Sequence, residues 1–254
     1  MEKVIPNKLE ETEFFKEHGN LVEFFDNCCQ EHNGKMAFES FGVEISYEDL
    51  SEKVNAFASW LTNNFQAGDR IAVMMPNMLA YPIIVYGALK AGIVVVNVNP
   101  LYTQRELEHV LKDSEAKVLV VWEGVANVVE KSNLANVEKV MITTVGDLLG
   151  FKGKIINFVT RKVKKLVPKF NIDGAIMFNK VLSDNLGSNP VKVDISIDNT
   201  AFLQYTGGTT GVSKGAVLSH RNILANIIQA FFTIDPKMYD ESRNEQRIAI
   251  CPLP

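Results

Sequence analysis

With 254 residues the chain can form one large or two modest domains around a buried core. A hydrophobic fraction of 46% and a charged fraction of 22% are ordinary for a globular protein. The net charge of −4 excludes the global positive field that general nucleic-acid binding needs, so no nucleic-acid partner is expected. Cys28, Cys29 and Cys251 are odd in number and include an adjacent pair, which suits reduced thiols of a cytoplasmic protein better than a disulfide framework or a metal site. The start Met1-Glu2-Lys3 leads into mixed charges, without the apolar core of a signal peptide. The most apolar stretch, Tyr81 to Val98, is interrupted by Lys90 and Gly92 and carries Asn97, so it reads as helix, turn and strand, not as a membrane span.

In chain order, Leu21 to Glu31 shows a helical apolar stripe. Met36 to Phe41 and Val43 to Tyr47 flank Gly42 as a hairpin. Ser46 precedes Asp49 by three residues, a weak capping-box signal for a helix to about Asn63. Arg70 to Met75 is a strand ended by Pro76; a helix from about Leu79 to Lys90 stops at Gly92, and Ile93 to Val96 is an apolar strand of the buried, parallel kind. Thr103 and Glu106 form a second capping box that opens a helix to about Lys112. A strand at Lys117 to Val121, a helix near Val125 to Lys131 and a strand at Val137 to Thr143 follow. Strand and helix alternate with short connections, which predicts an α/β fold with a parallel, doubly wound sheet.

Residues 144 to 200 break this rhythm. Within them, 151 to 170 carries Lys152, Lys154, Arg161, Lys162, Lys164, Lys165 and Lys169 and no acidic residue. Its apolar positions Ile155, Phe158/Val159, Val163, Leu166/Val167 and Phe170 recur at helical spacing. A basic amphipathic helix of this kind can lie on an anionic membrane surface. The same stripe can equally pack on the body with the lysines solvated, and both uses stay open at this point.

Thr200 to Tyr205 is the next strand, Ala216 to Leu218 another, Ser219 caps a helix to about Phe232, and Arg247 to Cys251 is a last strand. The loop between the first two is the most informative part of the chain. Tyr205-Thr206-Gly207-Gly208-Thr209-Thr210-Gly211-Val212-Ser213-Lys214-Gly215 holds four glycines, three threonines and one lysine, and Ala216 follows. Glycines let backbone N–H groups turn inward on phosphate oxygens, threonine hydroxyls add donors, and Lys214 adds charge. A nucleoside triphosphatase loop needs Gly-Lys-Ser/Thr; here Ser213 precedes Lys214 and Gly215 follows it, so that motif fails. There is also no Gly-x-Gly-x-x-Gly opening a helix.

The loop resembles the phosphate-binding signature of the adenylate-forming superfamily, which includes acyl-CoA synthetases, luciferases and peptide-synthetase adenylation domains. Met74-Met75-Pro76-Asn77, Tyr81-Pro82, Gly87, the run Gly92 to Thr103, Arg105-Glu106-Leu107, Leu203-Gln204-Tyr205 and Ser219-His220-Arg221-Asn222 are similar to bacterial long-chain fatty acid–CoA ligases. The resemblance covers about Leu21 to Pro254. It departs at Ser213, where the family commonly has proline, and a slightly looser turn is expected there. The resemblance implies ATP-dependent conversion of a fatty acid to its acyl-adenylate and then to its thioester with coenzyme A. It implies Lys214 and Thr206 as catalytic groups, residues 205 to 216 as the nucleotide-phosphate cradle, and Mg²⁺ with Thr206 among its ligands. It further implies that 1–254 is an incomplete amino-terminal adenylation domain without its carboxyl-terminal domain, inactive alone, with exposed apolar surface that would favour self-association. Two other readings stay open: a truncated module that binds nucleotide or a partner without catalysis, and adenylation of a different carboxylic acid. His220 reads as a structural residue at a helix start, with an exposed imidazole near an anion as the alternative. Tyr102 and Thr103 read as turn and cap residues, and Met74, Met75 and Met78 as core.

Overall fold

The computed structural model describes residues 19–206, 213–233 and 249. A small hairpin pairs β1 (Met36–Ser40) with β2 (Val43–Ser46). The main sheet contains β3 (Arg70–Met74), β4 (Val94–Asn97), β5 (Val118–Trp122), β6 (Lys139–Thr143), β7 (Ile176–Met177), β8 (Thr200–Thr206) and β9 (Lys214–Ser219). Its order is β7-β6-β5-β3-β4-β8-β9. All neighbours are parallel except β9, which runs antiparallel to β8. The chain moves outward from β3 in both directions, so the expected doubly wound parallel sheet is present.

Alternation along the strands feeds two cores. Ile71, Val73, Val95, Val118, Val120 and Met141 face one side. There they meet α1 (Leu21–Glu31), α2 (Tyr47–Asn64), α3 (Ala80–Lys90), α7 (Phe178–Asn185) and α8 (His220–Thr233). Ala72, Met74, Val96, Leu119, Val121 and Ile142 face the other side, against α4 (Gln104–Ser114) and α5 (Ala126–Lys131). Met74 and Met75 are buried and Met78 is half-buried, in line with a packing role. Fully buried Phe57 and Phe178 meet edge-on, with centroids 5.7 Å apart; each large side chain of this kind contributes about 2 kcal/mol on burial.

Local signals in the sequence act as read. Ser46 Oγ accepts from the Asp49 N–H at 3.0 Å, and the Glu106 carboxylate accepts the Thr103 N–H at 2.8 Å and its hydroxyl at 2.6 Å. Those bonds hold the Glu106 carboxyl below the usual carboxylate range. Gly92 ends α3 at φ +70°, where a side chain would be strained. Ser219 and Asn222 cap α8 reciprocally, Asn222 Oδ1 accepting the Ser219 N–H at 2.9 Å and Ser219 Oγ the Asn222 N–H at 3.2 Å. Cys28 and Cys29 are free thiols. The expected strand Arg247 to Cys251 lies outside the described residues. Among the described residues no helix is long and apolar enough to cross a membrane.

The segment 144–200 differs most from expectation. Residues 151–170 do not form one helix. α6 (Gly150–Phe158) passes into a π-turn over Val159–Val163, and no helix continues beyond it; β7 and α7, unforeseen in the sequence, follow. Most of the apolar stripe does not pack on the body either: Phe170 lies against the α4-side core, and Ile156, off the stripe, against the other core. Phe151 is 77% exposed and Phe158 62%, and Ile155, Val163 and Leu166 are also exposed. The polar side is docked instead. Asn157 Oδ1 accepts the Gly146 N–H at 2.8 Å, and its Nδ2 donates to Thr144 Oγ1 at 2.9 Å. Arg161 donates through Nε and Nη2 to Glu123 Oε2, at 2.8 and 2.6 Å. Gly153 lies against Gly146 so closely that a Cβ on it would sit 1.9 Å from the Gly146 carbonyl oxygen. Backbone contact and polar bonds, with Ile156 beside them, thus override most of the stripe, because the side bearing Gly153 can approach the turn at 144–149 most closely.

Candidate functional site

In an open parallel sheet, ligands gather at the carboxyl ends of the strands. β8 ends there, at Tyr205 and Thr206, and β9 begins at Lys214. Thr206 pairs with Lys214, Tyr205 with Gly215 and Gln204 with Ala216, so the expected strand–loop–strand arrangement is present. Gly207, Gly208, Thr209, Thr210, Gly211 and Val212 lie outside the described residues. The other members of the expected cradle form the neck of the loop. Thr206 and Lys214 are exposed side by side at its mouth, a hydroxyl beside an ammonium. Ser213 Oγ donates to the Thr206 carbonyl at 2.9 Å. A proline could not make that bond, so the neck carries a tie where the sequence suggested a looser turn. Tyr205 is buried, with Gly215 beneath its ring, and Ala216 is exposed.

Both sides of β8 are braced by residues that were not singled out as site residues in the sequence. On the α3 side, Tyr81 donates its hydroxyl to Asn97 Oδ1 at 3.0 Å, and Asn97 Nδ2 donates to Gln204 Oε1 at 3.0 Å. Burial raises the Tyr81 hydroxyl pKa, so it stays a donor. On the α4 side, Tyr205 donates to Asp113 Oδ2 at 2.5 Å, and His109 Nε2 lies 2.7 Å from the Ser213 carbonyl oxygen. Burial, with the Asp113 carboxylate, pushes the Tyr205 hydroxyl well above the usual phenol range. The one hint in the sequence was Asn97, a polar residue in an apolar strand.

His220 lies at the opposite end of β9 from the loop. It is buried; its Nδ1 accepts the Leu21 N–H at 3.3 Å, and burial depresses its pKa to about 4. A neutral imidazole joins the start of α8 to the start of α1, so the structural reading holds and the exposed one does not. Thr103 is an N-cap, as expected, and Tyr102 packs on the α4-side core.

An open, doubly wound parallel sheet with an antiparallel β8–β9 pair at one edge defines the chain as an α/β protein, and the family follows from comparison. A model described as AMP-binding enzyme matches residues 25–254, and the chain belongs to that family. Among its relatives, the Haemophilus influenzae long-chain-fatty-acid–CoA ligase is 45% identical over 238 residues, 92% of this chain and 42% of that protein. The Yersinia pestis protein of the same name is 46% identical over 217 residues, 84% of this chain and 39% of that one. The crystal structure of a long-chain-fatty-acid-CoA ligase from Archaeoglobus fulgidus aligns with a TM-score of 0.62 at 26% identity, covering 84% of this chain and 39% of that one. The chain thus spans about two fifths of the length of the curated relatives it matches.

Proposed function

We propose that this chain supplies the triphosphate-gripping part of the amino-terminal adenylation domain of an ATP-dependent long-chain fatty acid–CoA ligase. The neck geometry, with Thr206 and Lys214 paired at the carboxyl edge of the sheet, is the observation that carries the reading. In the first step a fatty-acid carboxylate oxygen attacks the α-phosphorus of ATP, and the bond to pyrophosphate breaks. In the second, the coenzyme A thiolate takes the acyl group and AMP leaves. Lys214 neutralises charge as it develops on the departing pyrophosphate, and Gly207, Gly208 and Gly211 contribute backbone N–H donors to the phosphates. Thr206, Thr209 and Thr210 add hydroxyl donors.

Among the described residues no cluster of acidic, His or Cys side chains could hold a metal unaided. The exposed Thr206 hydroxyl is a hard oxygen of the kind Mg²⁺ accepts, and it fits an ion that arrives with the triphosphate. Such an ion supplies charge neutralisation at the phosphates.

The test is a chimera in which this chain replaces the corresponding segment of the Haemophilus influenzae ligase. ATP–pyrophosphate exchange should depend on palmitate over benzoate or amino acids. Lys214→Ala should lower it about 100-fold. An unchanged rate with both Lys214 and Thr206 replaced by alanine sinks the proposal; benzoate-dependent exchange instead would redirect it to another acid.

A second reading concerns peripheral contact with an anionic membrane at its inner face, through 151–170. Exposed Phe151, Ile155, Phe158, Val163 and Leu166, set among lysines, support it. Co-sedimentation with phosphatidylglycerol vesicles at low salt should be lost in Phe151→Ser/Phe158→Ser. No retention of the parent protein ends this reading, as does self-association through the same residues without lipid.

A further inference from the structure

The cradle is usually judged by the residues that touch phosphate, but this chain also holds the loop's two roots from one flanking helix. α4 buries Leu107, Val110 and Leu111 against the sheet. His109 and Asp113, one turn apart, therefore lie together on a neighbouring flank, turned toward β8 and β9. Asp113 accepts the hydroxyl of Tyr205, the residue before Thr206, at 2.5 Å. His109 approaches the Ser213 carbonyl, on the residue before Lys214, at 2.7 Å. A carbonyl oxygen only accepts, so the His109 proton sits on Nε2. The two rings also meet edge-on, with centroids 6.4 Å apart at 89°. Ser213 Oγ closes the neck across to the Thr206 carbonyl. Each entry point of the loop is thus fixed by a side chain of the same rigid helix, more than 90 residues away in sequence.

We propose that His109 and Asp113 are positioning residues that pre-set the spacing of Thr206 and Lys214 for a polyphosphate, with Ser213 as a third tie. This rests on the phosphate reading above. Neither residue need touch the ligand: fixing the roots removes backbone freedom that binding would otherwise have to freeze. Freeing one root should therefore cost about tenfold in affinity, equivalent to ordering one or two residues.

The test uses the purified 254-residue protein with inorganic tripolyphosphate and magnesium as probe, read by calorimetry, together with amide hydrogen exchange at residues 206 and 213–216. His109→Ala should bind about tenfold more weakly and exchange faster at Lys214 and Gly215. His109→Gln, which keeps a side-chain N–H for the Ser213 carbonyl, should return most of both. Asp113→Ala should lose affinity and Asp113→Asn, which keeps an acceptor for Tyr205, should retain it. A merely structural role would not separate these pairs. If the alanine variants fold, bind and exchange like the parent, the positioning role is overturned while the phosphate reading stands. If the parent does not bind tripolyphosphate, the phosphate reading falls and takes this proposal with it. If conservative and alanine variants lose affinity equally, positioning through these hydrogen bonds is also overturned.

Discussion

The neck at β8–β9 and the basic segment at 150–166 both present cations to solvent, but they are held in opposite ways. The neck buries an aromatic ring and is tied by hydrogen bonds on both sides of the sheet: Tyr81–Asn97–Gln204 on one, and Asp113–Tyr205 with His109–Ser213 on the other. The basic segment is latched by Asn157, Arg161 and a glycine–glycine contact, and leaves its phenylalanines outside. The first arrangement fixes two side chains relative to each other. The second fixes a surface relative to the body and leaves that surface free to meet something else.

The largest expected effect acts at the far end of β9. His220 has a folded pKa of about 4, below its ordinary value near 6.5, so between these values the unfolded chain binds more protons. Stability contributed by neutral His220 is complete above about pH 6.5 and is lost as pH falls toward 4, amounting to about 3 kcal/mol. Urea titrations across that range should show it, and His220→Gln should flatten the profile. The latch at 150–166 should be broken nearly as severely by Gly153→Ala, about 2 kcal/mol, since the new methyl meets a backbone oxygen. Tripolyphosphate affinity should then stay within about twofold if the two regions are independent. Arg161→Ala leaves the buried Glu123 carboxylate without its cation; partial exposure of Arg161 moderates the cost to about 2 kcal/mol, measurable by thermal unfolding. The smallest effect is Asn97→Ala, about 1 kcal/mol from two lost hydrogen bonds. Unlike the latch variants, it should also weaken tripolyphosphate binding. Equal phosphate effects from Asn97→Ala and Arg161→Ala would erase the contrast between the regions.

Local features of the chain were readable without coordinates. The capping pairs at Ser46 and Thr103, the stop at Gly92, the apolar strands and the glycine-rich loop between two strands depend on residues within a few positions of one another, and short-range sterics and hydrogen bonding decide them. Tertiary structure alone decided which side of the 151–166 stripe turns inward, because periodicity measures that a helix is two-sided and not which side has a partner. It also brought His109 and Asp113 to the roots of the loop. That contact depends on where α4 crosses the sheet, a consequence of strand order that no local pattern encodes.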